Sequence, residues 1–289
     1  MTGDDASMAF IGLPTTGKST YIGALWQIIQ DDLDQTVVEL STSGDRSYLQ
    51  ELGDAVAQLR PVRRTDVDST EGMLLEVALD GELRVRLDVP DMSGESVRLL
   101  VEERRWHANL SAVLQRCSSI LFFVHPSQIT NAFRANLTSS LLEELTAPAS
   151  GSEVAEAPPS SAERSSVPDF HARDACTSAK AIDILENSFL LRGASIRKVG
   201  LLVSAWDLVD ERLTPRTWAE RELPAVVTYL ESLEGVEVAL YGISAQGGEL
   251  GRDRQRLLDA GRVRERAYAV DADGTRLPLS APISWAVRS

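Results

Sequence analysis

Apolar residues along the chain recur with two periods, and the alternation between them organises the sequence. Residues 8–11 (MAFI) form a short apolar run that reads as a buried strand, followed at once by a glycine-containing turn. Lys18–Gln30 then carries Ile22, Leu25, Trp26 and Ile29 at spacings of three and four, the stripe of an amphipathic helix. Leu49, Leu52, Val56 and Leu59 mark a second helical stripe, which ends at Arg60-Pro61 because proline restrains the residue before it. A polar segment, 62–72, precedes two alternating stretches, Met73–Leu79 and Leu83–Val89, around Asp80-Gly81, a strong hairpin signal. Downstream, the pattern predicts helix over 96–115 with a break near His107, and a buried strand at Ser119–Val124 (SILFFV). Helix follows over 179–191, strand over 199–204, helix over 215–233 and strand over 236–243. A last hairpin about Asp273-Gly274 joins 264–270 to 276–279. Strands alternating with helices predict an α/β fold, a mostly parallel sheet with helices on both faces and one antiparallel hairpin strand.

Two stretches change this picture. Residues 147–178 are rich in Ala, Ser, Pro and Glu and contain Pro158-Pro159, a composition that buries too little apolar surface to offset chain entropy. They are expected to form a disordered insertion in a domain spanning 1–250, with 251–289 a C-terminal extension carrying the small hairpin. Charge narrows the function. With 29 basic and 43 acidic residues the chain carries −14, which disfavours nucleic acid and anionic lipid surfaces as partners. Cys117 and Cys176 are too few for a disulfide framework, and His107, His125 and His171 are scattered, so a zinc site or a histidine triad has little support. No apolar run approaches the roughly 18 residues of a membrane span, and a cytoplasmic protein is expected.

Residues 12–19 (GLPTTGKS) match G-x-x-x-x-G-K-[ST]. Gly12 and Gly17 let the backbone curl through Pro14, Thr15 and Thr16, so that successive N–H groups face a phosphate while the following helix offers its positive end. Lys18 is placed to reach the β- and γ-phosphates, and the Ser19 hydroxyl to bind Mg²⁺. Only Lys18, Lys180 and Lys198 are lysines, the other basic residues being arginines, which makes this lysine in this motif less accidental. A strand before the loop and a helix after it are the context the motif requires.

The discriminating residues stand at the ends of later strands, where ligands of an open α/β sheet collect. After the hairpin comes Asp88-Val-Pro-Asp91-Met-Ser-Gly94-Glu95, where a carboxylate can hold Mg²⁺ through water and a glycine N–H can sense the γ-phosphate. The strand at 199–204 runs into Ala205-Trp206-Asp207, and that at 236–243 into Ser244-Ala245-Gln246. With these motifs in this order, the sequence resembles the Ras-like (TRAFAC-class) P-loop GTPases from Met8 to about Gln246. The opening GLPTTGKSTYIGALW and the closing ISWAV further resemble the double-GTPase branch of bacterial conflict and regulatory systems.

The resemblance implies a three-layer P-loop fold, GTP/GDP and Mg²⁺ as ligands, and roles for particular residues. Thr20 would touch the α-phosphate, Asp207 would accept from guanine N1 and N2, and Ala245, between Ser244 and Gln246, would offer its N–H to the guanine carbonyl. Asp91 would hold the ion through water, Gly94 would sense the γ-phosphate, and Thr65 or Thr70 would be the threonine ligand of the first switch. The family's Asn-Lys is Ser204-Ala205 here, so the lysine stem that covers the base is absent; Trp206 is expected in the core, with packing near the base as the alternative. Glu95 stands where the family has a water-orienting glutamine, so it would act as a base or repel the γ-phosphate, and slow hydrolysis is expected. Arg63-Arg64 or Arg104-Arg105 could supply an arginine finger, with solvated surface arginines the plainer reading. The expected function is a nucleotide-state switch hydrolysing GTP for a protein effector or a second GTPase, through a homo- or heterodimer at the nucleotide face. The alternatives are a P-loop ATPase or kinase, and a nucleotide-bound scaffold with negligible turnover.

Overall fold

The computed structural model describes residues 6–31, 37–43, 46–62, 73–79, 83–89, 94–103, 105–106, 108–130, 175–192 and 196–288. Strand β1 (Ala6–Gly12) shows how the layers form: Met8 and Phe10 enter one core, Ala9 and Ile11 the other, because successive side chains leave a strand on opposite faces. On the first face lie α1 (Lys18–Gln30) and α2 (Arg46–Ala57), where Tyr21, Leu25, Trp26, Leu49 and Val56 are buried. On the second lie α3 (Gly94–Glu103), α4 (Ala108–Leu114), α5 (Thr177–Arg192), α6 (Pro215–Glu222) and α7 (Pro224–Glu231). Each fully buried large apolar side chain in these cores is worth roughly 1.5–3 kcal/mol.

The sheet runs β2-β3-β4-β1-β5-β6-β7-β8-β9. Its central strands, β4 (Leu83–Val89), β1, β5 (Ser119–Val124), β6 (Lys198–Val203) and β7 (Glu237–Ser244), are parallel, and their carboxyl ends line one edge. β3 (Met73–Leu79) pairs antiparallel with β4, as its alternation predicts. The fold class is therefore that of the P-loop α/β proteins.

Four elements differ from the pattern-based expectation. β2 (Val37–Ser43) pairs antiparallel with β3 at the sheet edge, where its register shifts between Glu39 and Ser41; its polar composition hides it from a periodicity search. Helix 215–233 is two helices, because Pro224 lacks an N–H and starts a new helix after Leu223 leaves helical geometry. Residues 263–266 form a helical turn, α9 (Val263–Arg266), after α8 (Arg254–Asp259), so β8 (Tyr268–Val270) and β9 (Arg276–Leu277) are short. β8 nevertheless pairs with β7, extending the same sheet. Finally, α10 (Ala281–Val287) docks against the first face, where its Ala286 carbonyl accepts from buried Ser119 at 2.7 Å. Tyr21 of α1, its ionisation suppressed by burial, donates to the Leu279 carbonyl at 3.0 Å and ties the same region down. The break expected near His107 falls between α3 and α4, with His107 itself outside the described residues.

Candidate nucleotide-binding site

Between β1 and α1 the chain turns through residues 12–17. Gly17, the N-cap of α1, adopts φ 84°, a left-handed conformation in which glycine carries no Cβ penalty. Thr15 is left-handed too, at φ 62°, without that freedom. Buried Thr16 donates its hydroxyl to the Leu13 carbonyl at 2.8 Å. Lys18 folds its ammonium back onto the Gly12 and Leu13 carbonyls at 3.0 and 2.9 Å, so the cation sits over the turn. Pro14 is half-buried, as are Ser19 and Thr20 on the first turn of α1.

A second group assembles at the ends of β6 and β7. Ser204 closes the β6 side by donating to the Val124 carbonyl at 3.0 Å, and a Cβ on Gly17 would lie 3.1 Å from its side chain. The end of β6 and the turn are thus in close contact. Ala205 is left-handed, with φ 46°, and carries the chain out so that Asp207 can turn back toward β7. There the Ser244 hydroxyl donates to the Asp207 carboxylate at 2.5 Å, while itself accepting from the Gly247 N–H at 3.1 Å. That pair fixes one carboxylate oxygen and leaves the other available to a ligand. Ala245 is buried and Gln246 half-buried beside it.

Trp206 lies in the core, over Gly242 of β7: a Cβ there would fall 2.3 Å from the indole. The structure therefore supports the core reading of this tryptophan over packing on a base. Gly242→Ala is expected to destabilise the chain by about 2 kcal/mol through overpacking, measured as a shift in the urea midpoint. An unchanged midpoint would mean that the indole moves aside freely.

The residues expected to hold the ion and the γ-phosphate are not described equally. Thr65, Thr70 and Asp91 lie outside the described residues, as do Arg63, Arg64 and Arg104; Gly94 and Glu95 are described only as the first backbone turn of α3. Arg105 is exposed and bonded to Glu103 at 3.4 Å. Asp88, three residues before Asp91, is buried and accepts from Ser7 at 3.1 Å, Arg86 at 3.3 Å and Arg116 at 2.9 Å, a structural network that leaves it no ligand role. The insertion expected at 147–178 falls outside the described residues up to 174, and α5 begins at Thr177.

Two residues that sequence reasoning passed over stand beside the turn. His125 directly follows β5, in the electrostatic reach of Asp207; half-burial lowers its pKa, and the Asp207 charge opposes that shift. Its Nδ1 accepts from the Ser127 N–H at 3.2 Å and caps a 3₁₀ turn, Pro126–Gln128. Gln128 donates from that turn to the Thr15 hydroxyl at 2.6 Å and to the Thr15 carbonyl at 3.3 Å. The available signal was position, since both lie just beyond a parallel strand's carboxyl end.

A family model for Double-GTPase 1 matches residues 9–286. The chain belongs to that family. This double-GTPase is accordingly a GTP-binding protein of the P-loop GTPase class. No curated protein matches it. Among solved structures it is similar to sup35 complexed with GDP, at 10% identity and TM-score 0.33 over 84% of this chain and 38% of that one. The S. cerevisiae Ski7 GTPase-like domain bound to GTP matches at 12% identity and TM-score 0.37, over 84% of this chain and 43% of that one. An Era variant from Aquifex aeolicus bound to GDP and aluminium fluoride matches at 13% identity and TM-score 0.31, over 88% and 54%. The double-GTPase thus spans less than two thirds of the length of these three chains. Among its described residues no helix is long and apolar enough to cross a membrane.

Proposed function

We propose that the chain binds GTP with Mg²⁺ at the 12–19 turn, hydrolyses it slowly to GDP and phosphate, and reports its nucleotide state to a protein effector or a second GTPase across the nucleotide face. The observation that carries this reading is the junction of the turn with Asp207 and Ser244, which brings a phosphate cradle and a paired carboxylate to one sheet edge. The free carboxylate oxygen of Asp207 suits the two adjacent N–H donors of guanine; adenine lacks that donor pair. The Ala245 N–H and Gln246, which follow Ser244 at the end of β7, would meet the base carbonyl.

An aliphatic hydroxyl at Ser19, beside Lys18 on the first turn of α1, fits a Mg²⁺ that is otherwise held by phosphate oxygens and water. Asp91 and either Thr65 or Thr70 would complete its environment. The ion's contribution when bound is to neutralise phosphate charge. The protein's own contribution is positional: backbone N–H groups and Lys18 bind the phosphates, Gly94 senses the γ-phosphate, and Glu95, in place of the family's glutamine, would act as a base toward water or repel the γ-phosphate. Carboxylate in place of amide at 95 supports slow turnover.

Calorimetry with Mg²⁺ tests the reading. GTP is expected to bind at least tenfold more tightly than ATP, and Asp207→Ala to remove about 2 kcal/mol of GTP affinity while leaving ATP affinity unchanged. Tighter binding of ATP, or undiminished GTP affinity in the variant, would favour the ATPase or kinase alternative. Phosphate release that stays at zero in both the parent and Glu95→Ala would favour the scaffold.

A further inference from the structure

We infer that Gln128 is a positioning residue of the phosphate loop, fixing the peptide between Thr15 and Thr16 so that the Thr16 N–H faces the bound nucleotide. The inference rests on the proposed nucleotide site and adds to it a residue from outside the motif. In a trans peptide the carbonyl and the following N–H point in opposite directions, so whatever holds one fixes the other. The Gln128 amide donates to the Thr15 carbonyl at 3.3 Å and to the Thr15 hydroxyl at 2.6 Å, and that hydroxyl donates onward to the Pro14 carbonyl at 2.7 Å. Two consecutive carbonyls at the crown of the turn, those of Pro14 and Thr15, are thereby held by one chain of hydrogen bonds that starts at Gln128.

The crown needs such a brace for two reasons. Thr15 is left-handed at φ 62° without being glycine, a conformation that persists only when its surroundings over-determine it. Ser204, at the neighbouring strand end, is not available for the task, since its hydroxyl is spent on the Val124 carbonyl. Gln128 is itself held. His125 caps its turn, and the Gln128 carbonyl accepts from the Thr177 hydroxyl at 3.2 Å. Thr177 and Thr130 exchange further bonds, Thr130 N–H to Thr177 Oγ1 at 2.9 Å and Thr177 N–H to the Thr130 carbonyl at 3.0 Å. The start of α5 and the end of the β5 turn are locked together directly behind the brace.

The test compares Gln128→Ala and Gln128→Glu with the parent in Mg²⁺–GDP and Mg²⁺–GTP titrations, alongside thermal unfolding of each nucleotide-free chain. Alanine removes the donor, and affinity for both nucleotides is expected to fall about tenfold. Glutamate keeps the shape but offers only acceptors toward a carbonyl, and is expected to fall further than alanine. Because Gln128 is exposed, the nucleotide-free melting temperature should stay within about 2 °C of the parent in both variants. Affinities within twofold of the parent would overturn the role of Gln128 alone. So would a glutamate variant that binds as the parent does, or an affinity loss matched by a lower melting temperature. A parent chain that binds neither nucleotide would overturn the site itself.

Discussion

Replacing Arg266 with alanine is expected to cost about 3 kcal/mol of unfolding free energy, read from the urea midpoint at constant m-value. The side chain is buried, and desolvation lowers its pKa from the ordinary arginine value. Its guanidinium donates to the Val56 carbonyl at 2.7 Å, the Leu257 carbonyl at 3.3 Å and the Ala57 carbonyl at 3.4 Å. These are carbonyls in the last turns of α2 and α8, where intrahelical donors run out; Val56 accepts in addition from the Leu59 N–H at 3.2 Å. Arg254 does the same one step further on, reaching the Leu59 carbonyl at 2.9 Å where the chain turns left-handed at φ 54°. Truncating Arg266 removes three hydrogen bonds to these carbonyls and opens a cavity, and both effects act in the same direction. Lysine at 266 keeps a charge but not the fork, so it should recover less than half of the loss. The exposed pair Arg212–Asp210 offers the contrast: its removal should leave the midpoint unmoved. A loss below about 1 kcal/mol for Arg266→Ala would show that the carbonyls find other partners at little cost.

The tie at Arg266 also shows what could and could not be read from the sequence. It joins α2 to the loop after β7, since a Cβ on Gly247 would meet the Arg266 backbone at 2.7 Å. Nothing in local periodicity marks an arginine within a weak segment as buried; the 264–270 stretch read as a strand for that reason. The phosphate turn was legible because its chemistry is written contiguously, with Gly17, Lys18 and Ser19 at fixed spacing after an apolar run. The central strands were legible because both of their faces are buried, leaving short apolar runs such as SILFFV. β2 was not, since an edge strand keeps one side open and tolerates Glu39, Ser41 and Ser43. The split at Pro224 was visible in principle, but the apolar stripe on both sides of it imitates one helix. Gln128 and His125 were invisible for a different reason: each is a single polar residue whose meaning comes from what the fold places opposite it.

Lys18→Ala is expected to have the largest effect on binding, lowering GTP affinity by more than about a hundredfold. The chain carries −14, so its average field opposes a nucleotide, and the attraction has to be local. The structure shows that locality: the Lys18 ammonium rests on the Gly12 and Leu13 carbonyls, over the turn. Little ordering remains to be done when a phosphate arrives, and a pre-positioned cation loses less entropy on binding than a free one. Those carbonyls are also the reason that removal should spare the fold. They lie in a part-buried turn where water can take the place of the removed ammonium, so the unfolding free energy should change by less than about 1 kcal/mol. Arginine at 18 is not a remedy, because its planar fork is bulkier than an ammonium and cannot curl back onto two adjacent carbonyls of one turn. The decisive comparison is therefore between two readouts of one variant. Affinity should collapse while the urea midpoint holds. A variant that keeps GTP affinity within tenfold of the parent would place the phosphates somewhere other than this turn, and would remove Gln128 and Asp207 from the site with them.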